Sequence, residues 1–174
     1  MQKRLLVLAA GILQLPVIKK AKELGIYVIA ADGNPNAVGL KYADKYGYQY
    51  AVQLDGDGQH RPEYLESMIK KMEEGYDIVI GSRFVGEKKP FTMRMLGSNL
   101  IEMAIRFTTG VNIKDPTSGM RMFSKRMIRE FASGLNYGPE PDTVSYLIRQ
   151  GARVAEVPVI MDERILGVSY LTPV

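Results

Sequence analysis

Residues 50–62 read YAVQLDGDGQHRP, an apolar strand that runs directly into a loop in which aspartate alternates with glycine. Asp55 and Asp57 stand one residue apart just beyond this strand, at the carboxyl edge of the sheet where α/β folds bind ligands. Carboxylate oxygens are hard ligands that suit Mg²⁺, and Gly56 and Gly58 let the backbone turn tightly. Asp-Gly is also ordinary turn chemistry, so the pair alone fits a structural turn as well as a metal site.

The composition limits the kind of site that the chain can build. Its 174 residues, 46% of them hydrophobic, suffice for one compact domain, 1–174. There is no cysteine and one histidine, His60, which excludes thiolate sites and clusters of imidazole ligands. Any metal must therefore be held by oxygen. We expect His60 to be an ordinary surface histidine.

Charge and hydropathy limit the location and the partners. No apolar run reaches the ~18 residues of a bilayer span, and none resembles a signal peptide, so we expect a cytoplasmic protein. The net charge is +4, and lysine and arginine are concentrated between residues 88 and 129. This basic stretch suits phosphates or peripheral contact with an anionic lipid surface, and equally a solvated face without a partner. We expect no nucleic acid partner.

Hydrophobic periodicity predicts alternating strands and helices. The predicted strands are 3–10, 27–31, 50–54, 77–80 and 154–161, and the predicted helices are 15–24, 37–46, 62–74, 95–108, 125–133 and 143–149. Residues 115–121 read as a loop. This alternation favours an α/β fold around a mainly parallel sheet.

Further motifs follow the aspartate pair in a fixed order. They are Gly81-Ser82-Arg83, Asp115-Pro116-Thr117-Ser118-Gly119-Met120-Arg121, Glu140-Pro141-Asp142, and Arg164 with Gly167 and Ser169. Together with Asp55-Gly56-Asp57-Gly58-Gln59-His60, they resemble the family-two glycosyltransferases of the polyprenyl-phosphate type. The resemblance covers residues 41–174 and implies a GT-A-like, Rossmann-like sheet that carries the metal and acceptor half of such an enzyme.

The resemblance also implies roles for individual residues. Mg²⁺ or Mn²⁺ is held by Asp55, Asp57 and Gln59 against the diphosphate of a nucleotide-sugar donor, and the acceptor is a lipid phosphate or similar group. The implied catalytic set is Asp57, Arg83, Arg121, Glu140 and Asp142, and the implied donor contacts include Asp55, Arg164 and Ser169. In this set the arginines face the acceptor phosphate, and Glu140 or Asp142 stands where the family places its general base.

Several of these assignments have structural alternatives. Arg121 would equally serve as a bridge to a carboxylate, and Asp142 as the N-cap of a helix that begins at Thr143. Arg164 would equally be a solvated loop arginine. Ser118 and Gly119 are expected to shape their loop in either case.

Residues 1–40 depart from the glycosyltransferase pattern. Ala10-Gly11-Ile12-Leu13-Gln14-Leu15-Pro16 and Asp32-Gly33-Asn34-Pro35-Asn36 resemble the N-terminal domain of ATP-grasp enzymes over one β-α-β unit. We therefore expect a fusion in which this unit replaces the usual nucleoside-binding half and the third strand, at the sheet edge, is dropped. Asp32 then stands where an acidic residue meets a ribose or base, or is a turn aspartate beside Gly33.

Three functions remain open on the sequence. The first is a metal-dependent glycosyltransferase that uses a nucleotide-sugar donor and a phosphate-bearing acceptor. The second is a non-catalytic binding module that keeps the fold but not donor binding. The third is a nucleotide-binding fragment of the ATP-grasp type.

Overall fold

The computed structural model describes residues 4–8, 19–20, 23–25, 27–31, 38–45, 47–55, 59–86, 93–133 and 141–162. In chain order its strands and helices are β1 Arg4–Leu8, β2 Tyr27–Ala31, α1 Val38–Lys45, β3 Tyr50–Gln53, α2 Tyr64–Glu73, β4 Ile78–Ser82, α3 Met93–Thr109, β5 Arg121–Ser124, α4 Lys125–Ser133, α5 Pro141–Arg149 and β6 Val154–Pro158. Most of the helix predicted at 15–24 lies outside the described residues.

The strands form one sheet in the order β2-β1-β3-β5-β4-β6. The pairs β1–β2, β1–β3 and β4–β6 are parallel. Strand β5 runs antiparallel to both of its neighbours, β3 and β4. The predicted α/β fold with a mainly parallel sheet is confirmed, whereas β5 was not predicted and its first residue, Arg121, had been assigned to a loop.

The reversed direction of β5 brings three chain segments to one edge of the sheet. Because β5 is antiparallel, the loop before it arrives where β3 and β4 end. In the register, Arg121 lies opposite Gln53 on one side and Ile80 on the other. The amide of Gly81 donates to the carbonyl of Met120, which continues the pairing past the strand end. The aspartate loop and the motif at 115–121 are neighbours for this reason.

Two hydrophobic clusters, one for each face of the sheet, make up the described core. The larger cluster joins α1, α4 and α5 to the sheet through buried residues that include Leu40, Tyr48, Phe123, Phe131 and Leu147. The smaller cluster lies under α2 and includes Val52, Leu65, Met68, Val79 and Met122. The alternation along β5 explains the division, since successive side chains of a strand point to opposite faces.

Strand β1 lies inside the sheet, between β2 and β3. Leu5 pairs with Val28 on one side and with Tyr50 on the other. The chain leaves β2, passes through α1 and returns on the far side of β1 as β3. Among the described residues, β2 is the edge strand on this side of the sheet. The described sheet therefore has no further strand beyond β2.

Candidate functional site

The site begins at Asp55, two residues past the end of β3. Its side chain is 56% exposed, and its carboxylate lies directly against the backbone of Gly119. A Cβ atom at Gly119 would overlap the carboxylate, so this close approach requires glycine. The loop before β5 therefore forms one wall beside the Asp55 carboxylate.

That loop is tied to β4 by a buried ion pair. Asp115 is fully buried, and its carboxylate accepts hydrogen bonds of 2.7 Å from both Nε and Nη2 of Arg83 and one of 3.0 Å from the Arg83 amide. These bonds raise the pKa of Arg83 above its usual value, burial opposes them, and the charges of Asp115 and Asp55 add to the rise. Arg83 thus stays charged within the electrostatic reach of Asp55.

Strand β6 and the end of β4 hold the same loop. The carboxylate of Glu156 on β6 accepts the amides of Lys114 and Asp115 at 2.9 and 2.8 Å. The buried hydroxyl of Ser118 donates to the carbonyl of Gly81. The expectation that Ser118 and Gly119 shape the loop agrees with these contacts.

Arg121 supports the loop from within. It is 4% exposed, and its guanidinium donates to the carbonyls of Ser118 and Pro116 at 2.9 and 2.7 Å. Both of these partners are backbone carbonyls of the loop. The acceptor-phosphate role of Arg121 stays a prediction, and the contacts give this residue a structural role in the loop.

Residues 59–61, which follow the aspartate pair, contact residues 160–162, which follow β6. We call this contact the clip. The amide nitrogen of Gln59 donates to the Asp162 carbonyl at 2.8 Å, and the Asp162 amide donates back to the Gln59 carbonyl at 3.0 Å. The guanidinium of Arg61 pairs with the Asp162 carboxylate, and His60 forms a β-bridge with Met161. The chain just ahead of Arg164 is thereby fixed beside the candidate metal loop.

The side chain of His60 is buried, which corrects the expectation of a surface histidine. Its side chain is 4% exposed, and Nε2 lies 3.8 Å from Oδ2 of Asp55. Neither ring nitrogen has a hydrogen-bond partner in the described part of the chain. The β-bridge to Met161 draws the residue inward, and the sequence carries no periodic signal for such an isolated bridge.

Asp142 lies on helix α5. Helix α5 begins at Pro141, so Asp142 is in its first turn, and the suggested N-cap of a helix starting at Thr143 is wrong. Asp142 is exposed and lines a groove of about 530 Å³ between α3 and α5. Among the described residues no hydrogen bond joins it to Asp55 or Arg83.

The remaining candidate residues lie outside the described residues: Asp32, Asp57, Glu140, Arg164 and Ser169. In the part that is described, no three acidic or histidine side chains form a metal-binding group. Asp55 does offer an exposed carboxylate to a cation, and hard oxygen donors are what Mg²⁺ and Mn²⁺ prefer. The metal-binding roles of Asp55, Asp57 and Gln59 stay predictions.

Comparison with known sequences identifies relatives of this chain. The profile of the family described as Glycosyl transferase family 2 matches residues 36–132. Polyprenol monophosphomannose synthase of Mycolicibacterium smegmatis is 32% identical over 77% of this chain and 53% of its own length. Undecaprenyl-phosphate mannosyltransferase of Micrococcus luteus is 31% identical over 80% of this chain and 60% of its own. The chain thus spans little more than half the length of these relatives.

A solved structure supports the fold alone. The 4-diphosphocytidyl-2C-methyl-D-erythritol synthase of Anaerococcus prevotii superposes with a TM-score of 0.51 over 98% of this chain and 91% of its own, at 9% identity. This likeness of fold agrees with the GT-A-like architecture. The resemblance of residues 1–40 to ATP-grasp enzymes stays a prediction, since the family match begins at residue 36.

Proposed function

Because the chain belongs to glycosyl transferase family 2, we propose that it is a metal-dependent glycosyltransferase that moves a sugar from a nucleotide diphosphate to a phosphate-bearing acceptor of the polyprenyl type. The observation that carries the proposal is the exposed Asp55 carboxylate, seated on Gly119 beside the Arg83–Asp115 pair. The names of the two bacterial relatives support the choice of a lipid-phosphate acceptor.

The donor diphosphate accounts for the need for a cation. When a nucleoside diphosphate leaves the sugar, negative charge develops on its oxygens, and a bound Mg²⁺ or Mn²⁺ neutralises that charge without proton transfer. Asp55, Asp57 and Gln59 would hold this cation. For Gln59 the amide nitrogen is engaged by Asp162, so the amide oxygen is the atom for the cation.

A phosphate acceptor accounts for the basic residues of the site, and it requires little acid or base catalysis. A phosphate monoester has a second pKa near ~6, so it is mostly a dianionic nucleophile at neutral pH and needs little help from a base. Arg83 supplies a fixed positive charge, because its fork is locked by Asp115 while its side chain keeps 27% exposure. Asp142 and Glu140 are then secondary for the chemistry.

We further propose that the lipid end of the acceptor is met at a membrane surface by helix α3. Leu100, Met103 and Phe107 follow the i, i+3, i+7 spacing of one helix face and are 60%, 65% and 92% exposed. The sequence just before and along this helix is basic, with Lys88, Lys89, Arg94 and Arg106. Large apolar side chains next to basic residues suit an anionic lipid surface. None of the described helices is long and apolar enough to span a membrane.

The proposal is tested by calorimetric titration with UDP-, GDP- and TDP-sugars in the presence and absence of Mn²⁺. One of these donors is expected to bind in a metal-dependent manner, and binding should disappear in Asp57→Ala and Asp55→Ala. Asp44→Ala is the matched control, since Asp44 is an exposed aspartate on α1 with a long, 3.8 Å ion pair to Arg129. Its titration should equal that of the parent chain.

The other outcomes identify the competing functions. Failure of all three sugars to bind would leave a non-catalytic module that keeps the fold. Metal-independent binding of ATP would instead favour a nucleotide-binding role for residues 1–40. If donor binding occurs, transfer of a radiolabelled sugar to a short-chain polyprenyl phosphate tests the acceptor directly.

A further inference from the structure

The surroundings of the His60 ring indicate a role for this residue that the proposed function does not include. We propose that His60 is a positioning residue for Asp55: its Nε2–H donates to the Asp55 carboxylate and fixes the orientation in which that carboxylate meets the cation. The inference rests on the metal site of the proposed function.

The first observation is a buried ring without a partner. The His60 side chain is 4% exposed, and both of its nitrogens lack a hydrogen-bond partner within the described residues. Buried polar side-chain atoms almost always have a partner, because leaving a donor or acceptor unpaired inside a protein is costly. An orphaned imidazole at this depth therefore indicates a contact that forms in another state of the site.

The second observation identifies the partner. Oδ2 of Asp55 lies 3.8 Å from Nε2 of His60, whereas a hydrogen bond to nitrogen spans about 2.7–3.2 Å. A displacement of about 1 Å closes that gap. Asp55 is the more exposed of the two side chains, at 56% against 4% for His60.

The third observation is that His60 itself is held in place. Its backbone forms the bridge to Met161, and Gln59 and Asp162 exchange two hydrogen bonds immediately beside it. The ring is thus anchored on one segment, while Gly119 contacts the Asp55 carboxylate from another. When a cation binds Asp55, both His60 and Gly119 would support the carboxylate. Carboxylates that bind metals are commonly hydrogen-bonded in this way, and loss of the supporting group weakens metal binding about 10-fold or more.

The single histidine of the chain makes the contact directly observable. Two-bond ¹H–¹⁵N spectra report on one imidazole only, so every signal belongs to His60. We expect the proton on Nε2, a shift of the Nε2 signal between the parent chain and Asp55→Ala, and a further shift on addition of MgCl₂ to the parent chain alone. A proton on Nδ1, or identical spectra for the parent chain and Asp55→Ala in the presence of MgCl₂, would overturn the proposal.

Substitutions at His60 separate positioning from packing. The side-chain amide of Gln places a nitrogen near the position of Nε2, that of Asn near Nδ1, and Leu fills the space without a donor. Calorimetry with Mn²⁺ alone is expected to give affinity within about threefold of the parent chain for His60→Gln and a loss of about 10-fold for His60→Leu and His60→Asn. The melting temperature of each variant, measured in parallel, shows which of them remain folded.

The outcomes distinguish this inference from the proposed function. Unchanged Mn²⁺ affinity in a folded His60→Leu variant would overturn the positioning role and leave the metal site intact. If the parent chain binds no Mn²⁺, the metal-dependent function falls. The comparison of imidazole spectra with Asp55→Ala still decides whether His60 donates to Asp55.

Discussion

At the residue scale, Gly119 has the least space for a Cβ atom among the glycines whose surroundings the structure describes. Gly119→Ala places a methyl group on the Asp55 carboxylate, so the carboxylate or the loop must move. We expect Mn²⁺ affinity to fall at least about 10-fold and unfolding free energy to drop by about 1–3 kcal/mol, the usual cost of overpacking. Calorimetry and urea unfolding measure the two effects.

Gly97→Ala is the matched control for this substitution. Gly97 lies in helix α3, and a Cβ there meets no atom within 4 Å. Since alanine is the better helix former, stability should rise by about 0.5–1 kcal/mol with no change in metal binding. If Gly119→Ala bound Mn²⁺ as tightly as Gly97→Ala does, the Asp55 carboxylate would not be the cation's ligand.

The residues of the site differ in how far the sequence reveals them. The sequence predicts the role of Asp55 because an apolar strand ends two residues before it, and α/β sheets bind ligands at the carboxyl ends of their strands. The burial of His60 depends on a bridge to Met161, about one hundred residues away in sequence, and no local pattern encodes that contact. The loop-carbonyl partners of Arg121 are equally hard to predict, because backbone carbonyls carry no residue identity that a motif could show.

At the element scale, β5 shows what hydrophobic periodicity misses. It is four residues long, RMFS, and begins with a buried arginine, so neither length nor alternation marks it as a strand. Pairing with β3 and β4 on both sides makes it a strand despite its weak local preference. The parallel strand β4 is a mostly apolar run, IVIGS, which periodicity detects, whereas β5 begins with arginine and passes directly into α4.

Helix α3 has an exposed apolar face whose proposed partner is a lipid surface. The double substitution Met103→Ser and Phe107→Ser should weaken binding to vesicles of phosphatidylcholine and phosphatidylglycerol by at least about 30-fold, because burial of one large apolar side chain is worth about 2 kcal/mol. Flotation on a sucrose gradient measures the bound fraction. Ile160→Ser, at a residue 62% exposed outside this helix, should bind as the parent chain does. Equal binding of all three proteins would argue against contact through α3.

The clip between residues 59–61 and 160–162 gives a prediction for pH. Hydrogen bonds from Arg61 lower the pKa of Asp162 below its usual value, so the pair stabilises the clip above the unfolded-state pKa and is lost as pH falls through the lowered value. In Arg61→Ala, the Asp162 carboxyl should titrate at a higher pH, near the ordinary ~3.9. Carboxyl ¹³C shifts measured across an acid titration give this midpoint.

Lys70→Ala is the control for the clip, because it removes a comparable exposed pair, with Glu66 on α2, without touching Asp162. The Asp162 midpoint should not change in that variant. An unchanged midpoint in Arg61→Ala would mean that the pair does not persist in solution. Residues 161–162 would then be held beside residues 59–60 by the two hydrogen bonds between Gln59 and Asp162 and by the bridge between His60 and Met161.

At the scale of the whole molecule, the N-terminal unit cannot fold apart from the rest, whatever its ancestry. Strand β1 pairs with β2 on one side and β3 on the other, so it belongs to the interior of the common sheet. Helix α1 packs on α4, and Leu40 and Tyr48 share one cluster with Phe131. We therefore expect a single cooperative urea transition that far-UV and tyrosine near-UV circular dichroism report with the same midpoint.

Removal of residues 1–37 provides a second test of this single cooperative transition. The shortened chain would expose the edge of β3 and leave its backbone groups unpaired, so it should show no cooperative transition and should aggregate. Two separate transitions in the full chain, or a folded shortened chain, would contradict a single unit. The distinction matters for function, because Asp55 directly follows β3. If β1 and β3 unfold together, any donor or cation that binds at Asp55 must raise the stability of the N-terminal unit as well, by the amount that its concentration and affinity dictate.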